Sequence, residues 1–234
     1  MSSDALARAT PAEDGRADRP WLVLAIGAVV TVYSHFYDAW RLPPRLPFGT
    51  VGLVLGGDAL PLLVVPLLAA RFVLREPLPR TGFRWPGVRR VLVAGGLAWL
   101  ALLPLVAWLA TRPEFQAYYP SPAFPPARAH AVGLAFLWLL HHAPQMLATE
   151  YCYRGFLLMP IARSFGLPRA LVILGALYVA LHADKPPLEL GLAAAGSVAF
   201  SLAAWRTGSF WPAFLAHWGV AVTMDALCFA ALHR

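Results

Sequence analysis

Four side chains in otherwise apolar surroundings could do chemistry in this sequence: Glu150, Arg154, His182 and His217. Glu150 and Arg154 stand four residues apart in ATEYCYRGFLL, residues 148–158. On a helix that spacing puts both on one face, where they can form an ion pair. Such a pair either neutralises itself as a structural element or supplies a carboxylate for catalysis. His182 ends the run LYVALH, and His217 lies early in FWPAFLAHWG, so the two imidazoles sit on separate helical segments. A lone histidine in such a segment is commonly a simple interhelical hydrogen-bonder. Two of them with a buried carboxylate can activate a water and steady a tetrahedral oxyanion. The same residue types also bind zinc, although nothing local has the form HExxH. No cofactor is expected. A metal, if held, would be zinc on Glu150, His182 and His217.

The elements that must position these residues follow from composition. The chain has 234 residues, 59% of them hydrophobic and 13% charged, with a mean hydropathy of +0.60. A soluble domain carries about 25% charged residues. Several apolar runs approach the roughly 20 residues that cross a bilayer, and they are continuous rather than alternating. The expected fold is therefore all-α, a polytopic bundle of about seven membrane helices. An ionisable residue inside such a bundle is a functional candidate by default. The excess of basic residues, 19 against 12 acidic, marks cytoplasmic loops, and no aromatic-interleaved basic patch suggests nucleic-acid binding. Cys152 and Cys228 both fall in apolar segments, which points to inert buried thiols and not to a disulfide framework.

Residues 1–19 read as a disordered cytoplasmic tail, 20–129 as N-terminal membrane helices, and 130–234 as the core that carries the chemistry. Spans are expected at about 21–40, 51–73, 91–111, 168–183, 188–205 and 209–232, together with a long apolar run at 130–165. As one helix that run would extend roughly 50 Å, too long for an upright span, so Pro144 and Pro160 are expected to kink or divide it. Gly155 could admit a neighbouring helix at close range. The segment RFVLREPLPRTGFRWPGVRR holds six arginines and reads as a cytoplasmic loop, which places the N-terminus in the cytoplasm. No cleavable leader is recognised, so the first run reads as a retained anchor. By helix rise, His182 and Glu150 would each lie roughly 20 Å from their cytoplasmic helix ends and His217 roughly 12 Å, compatible with one site near mid-membrane.

The blocks EYCYRGFLL, LYVALH and RTGSFWPAFLAHW resemble the three motifs of the CPBP intramembrane protease family, which run EExxxR, FxxxH and HxxxN. That family includes the type II CAAX prenyl endopeptidases and Abi-like proteins. The likeness covers about residues 145–225; the first 130 residues carry none. It implies a membrane bundle around a cavity, in which a Glu and a His activate water for peptide hydrolysis while another His and an Asn bind the oxyanion. Carried over, His182 activates water, His217 faces the oxyanion, and Arg154 is the motif arginine; Glu150 matches the second Glu of the motif, not the first, which normally has the catalytic role, and would serve as the base by turning inward. Thr149 stands where the first Glu would be, Ala221 where the Asn would be, and Tyr178 where Phe is usual. Three residues could compensate: Thr149 by positioning a water, His142 by sharing its helical face, and Asp225 by supplying the polar group missing at Ala221.

Two other readings stand beside the protease. Thr149 and Ala221 motivate a catalytically inactive membrane scaffold or partner protein. His142, His182 and His217 could instead make a haem- or metal-binding bundle. The Ala, Arg, Leu and Pro content is that of a high-GC bacterium, so the chain is placed in a bacterial inner membrane. Prenylated CAAX proteins are not expected there. The expected partners are membrane lipids and a membrane-anchored protein substrate, such as an exported protein with a C-terminal anchor.

Overall fold

A computed structural model of the chain describes residues 19–39, 59–119 and 143–232. The tail before residue 19, His142 and the first part of the 130–165 run lie outside the described residues. The described helices are α1 (Pro20–Ala39), α2 (Ala59–Leu68), α3 (Val88–Leu109), α4 (Pro113–Tyr118), α5 (residues 143–165), α6 (Leu167–Ala180), α7 (Pro187–Thr207) and α8 (Trp211–Leu232). Among the described residues no strand occurs. Helices α3, α7 and α8 are long and apolar enough to cross a membrane, and shorter apolar helices accompany them. These observations establish an all-α bundle of membrane type. They do not by themselves fix seven crossings.

Local sequence explains the helix limits. Proline occupies the first turn of α4, α6 and α7, where its missing N–H has no intrahelical partner to lose. Gly166, at φ +85, separates α5 from α6, and Gly208, at φ +62, ends α7. Pro160 does not divide its helix as expected. Residues 143–165 form one continuous helical path whose winding widens to π-helix over Tyr151–Leu157. The carbonyl that Pro160 cannot pair with is that of Phe156, so the π turn lies where the proline's missing hydrogen bond falls.

Helix α5 is the axis of the bundle, and every residue from 148 to 162 is buried. Helix α1 runs antiparallel along it: Trp21 packs on Phe165, Gly27 on Leu157, and Thr31 Oγ1 lies 2.6 Å from the Tyr153 hydroxyl. Helices α3 and α8 lie side by side in the same direction. Gly95 abuts the Pro212 carbonyl, and Trp99 Nε1 donates to Thr223 Oγ1 at 3.2 Å. Helix α7 packs against α3, α6 and α8. Large apolar side chains such as Trp21, Val29, Leu97 and Val172 remain exposed around the outside, as lipid-facing surface requires.

The arginine-rich segment is not a loose connector. Its short 3₁₀ turn, Leu78–Thr81, folds back onto α5, with Thr81 fully buried and its hydroxyl 3.2 Å from that of Tyr151. Arg163 donates to the Arg80 carbonyl at 2.8 Å, Arg84 to the Thr207 carbonyl at 3.1 Å, and Ser209 to the Arg84 carbonyl at 2.6 Å. Gly155 does admit a close neighbour, but that neighbour is this loop and not a helix: a Cβ there would lie 2.7 Å from the Thr81 carbonyl oxygen.

Candidate active site

Glu150 is the last α-helical residue before the π turn, and Arg154 lies inside the turn. Their ion pair forms, with Arg154 Nη1 3.2 Å from Glu150 Oε1. The same oxygen receives His217 from α8, whose Nδ1 is 2.7 Å away. An ionised carboxylate only accepts, so Nδ1 carries the proton and Nε2 is turned toward other partners. The guanidinium of Arg154 lies 4.1 Å from the Tyr178 ring centroid, with the Phe200 and Tyr153 rings at 5.5 and 5.6 Å. These aromatic faces make burial of the cation tolerable.

Tyr178, on α6, joins the parts. Its hydroxyl is 3.2 Å from His217 Nε2. Its backbone carbonyl accepts from His182 Nδ1 at 2.8 Å. That bond places the proton of a neutral His182 on Nδ1 and leaves the Nε2 lone pair as the acceptor, the form a general base needs. Phe200 stacks on the His217 ring, with centroids 5.3 Å apart and planes inclined by 23°.

These groups meet a cavity of about 450 Å³. His182, His217, Tyr178, Ala221 and Asp225 all line it. Glu150 has no exposed side-chain surface and His217 has 13%, so the carboxylate reaches the cavity through the imidazole. Thr149 is buried beside Glu150. The structure therefore gathers Glu150, Arg154, Tyr178, His182 and His217 into one connected group, with Asp225 on the same cavity. His142 lies outside the described residues.

The cavity extends to a second polar group, which the sequence reading did not single out. Tyr119 donates to Glu189 Oε1 at 2.8 Å, and Lys185 Nζ reaches the same oxygen at 2.9 Å. The signal was present in HADKPPLEL, where Lys185 and Glu189 stand four apart across a helix start. Burial pushes the Tyr119 phenol well above its ordinary range. Burial alone would pull the Lys185 ammonium down, but the Glu189 carboxylate 2.9 Å away holds it above the usual lysine value.

Glu150 Oε1 serves His217 and Arg154, while Oε2 has no hydrogen-bond partner among the described residues. Among the described residues, no three His, Cys, Asp or Glu side chains are placed to share an ion.

No curated protein matches the chain, and no solved structure does. A family model does match: type II CAAX prenyl endopeptidase Rce1-like, over residues 131–223. That stretch, less than half of the chain, holds Glu150, Arg154, Tyr178, His182, His217 and Ala221, and it is similar to the Rce1-like type II CAAX prenyl endopeptidases.

Proposed function

We propose that the chain is an intramembrane endopeptidase that hydrolyses a peptide bond in a membrane-associated protein by a carboxylate- and histidine-assisted attack of water. The observation that supports this most is the convergence of His182 and His217 on Tyr178 at the wall of one cavity, with Glu150 behind His217. His182 Nε2 takes a proton from water as the water oxygen bonds to the scissile carbonyl carbon. His217 faces the oxyanion that forms. Glu150 serves through His217, holding its ring and its proton, because it has no surface of its own to offer a water. His182 then passes its proton to the amine nitrogen as the C–N bond breaks and the carbonyl re-forms.

The cavity lies toward Tyr119, Lys185 and Glu189, at the opposite end of the bundle from the arginine loop. With that loop in the cytoplasm, the site is reached from the outer side. This favours an exported protein held by a C-terminal anchor as the substrate, not a cytoplasmic prenylated protein. The test is to compare membrane-protein C-termini in cells with and without the gene, complemented by wild type, Glu150→Gln or His182→Ala. Processing that depends on both residues is expected. Unchanged C-termini, or full processing by His182→Ala, would sink the reading.

Thr149 and Ala221 keep a second reading in play, a scaffold that has lost catalysis. The doubly substituted Thr149→Glu, Ala221→Asn protein decides between the two. Cleavage that appears only in that protein favours the scaffold.

A further inference from the structure

Among the described residues, Val220, Ala221 and Met224 of α8 and Gly196 and Phe200 of α7 line the cavity with His217, and Gln145 and Asp225 belong to the same lining. An oxyanion forming there needs aimed hydrogen-bond donors. Tyr178 lines the cavity at this patch although its side chain is almost wholly buried, and three of its contacts bear on the role of its hydroxyl. Its carbonyl accepts from His182 Nδ1 at 2.8 Å, its ring lies 4.1 Å from the Arg154 guanidinium, and its hydroxyl lies 3.2 Å from His217 Nε2. A phenylalanine would satisfy the first two contacts equally well. The hydroxyl is thus not required by packing; what it adds is a proton donor beside His217 in the cavity wall.

We propose that Tyr178 is a further catalytic residue, whose O–H donates to the tetrahedral oxyanion while its oxygen accepts from His217 Nε2–H, so that His217, held against Glu150, acts on the oxyanion through Tyr178 and not by a contact of its own. The phenolic proton stays on Tyr178 throughout. The bonds made and broken remain C–O from water and C–N to the leaving amine, with His182 carrying the proton between them. The proposal rests on the protease reading and names the donor that reading leaves unfilled at Ala221.

The test uses purified full-length protein and a synthetic peptide spanning the cleavage site mapped from the gene-dependent C-termini. Tyr178→Phe keeps the ring under Arg154 and removes the hydroxyl. It is expected to lower kcat by about 100-fold with KM unchanged, the usual loss for one oxyanion donor. Ala221 lies one turn beyond His217 on the same cavity wall, so adding Ala221→Asn to Tyr178→Phe supplies an amide N–H there and should recover at least about tenfold, as a new oxyanion donor can. A Tyr178→Phe protein within threefold of wild-type kcat, a change confined to KM, or a loss that Asn does not relieve would each overturn the proposal while leaving the protease reading intact. Full activity in His182→Ala, or no gene-dependent C-terminus at all, would overturn the protease reading and this one with it.

Discussion

Substituting Glu150 by Gln keeps the shape of the side chain and removes its charge. Arg154 is 1% exposed, and its Nε and Nη2 have no hydrogen-bond partner among the described residues, so the Glu150 carboxylate is its close anionic neighbour. At the observed 3.2 Å and an effective dielectric of about 20, their attraction is about 5 kcal/mol. Breaking a buried pair from one side leaves an uncompensated charge and costs about 3–5 kcal/mol. The aromatic faces around the guanidinium recover part of that, which puts Glu150→Gln toward the lower end. Arg154→Met is a different case: Glu150 keeps its hydrogen bond to His217 at 2.7 Å. Its cost is that of a charged hydrogen bond, about 1.5–3 kcal/mol. The double variant, with neither charge, should recover much of the loss. Unfolding by titration of the purified protein with a denaturing detergent, followed by helical circular dichroism, ranks the three. A Glu150→Gln protein within about 1 kcal/mol of wild type, or less impaired than Arg154→Met, would refute the reasoning from one-sided burial.

The same unfolding measurement checks further expectations. Gly155→Ala should cost about 1–3 kcal/mol, because its Cβ meets a backbone carbonyl that cannot swing aside. Gly175→Ala, in the interior of α6 with no atom within 4 Å of the new Cβ, should instead stabilise by about 0.5–1 kcal/mol. Tyr153→Phe removes the 2.6 Å link between α5 and Thr31 of α1 and should cost about 0.5–1.5 kcal/mol, since Thr31 keeps its bond to the Gly27 carbonyl.

The class of the fold was open to reading because lipid demands long apolar helices, and composition records that demand directly. The pairing of Glu150 with Arg154 was legible because neighbours four apart on a helix meet even where the winding widens. The partner that brings Glu150 to the cavity was not legible, since His217 is 67 residues further on and only packing joins them. Pro160 announced a local conflict without saying how it would be resolved. Kinks, breaks and π turns all answer a missing N–H, and the choice among them depends on what packs alongside. Gly155 likewise declared a close approach but not its partner. A run of arginines reads as solvated loop, so the buried Thr81 and Gly82 within it went unnoticed.

The folding of the arginine segment onto α5 settles a matter of parity. Trp21 at the start of α1, Arg163 late in α5, Thr207 at the end of α7 and Ser209 before α8 all meet at that segment or at the neighbouring end of α5. Helices α1, α3, α6 and α8 therefore leave that end of the bundle, and α2, α5 and α7 return to it. Residue 19 and residue 232 accordingly fall on opposite ends. Reporter domains fused at those two points are expected on opposite sides of the membrane, and reporters active in one compartment alone check it.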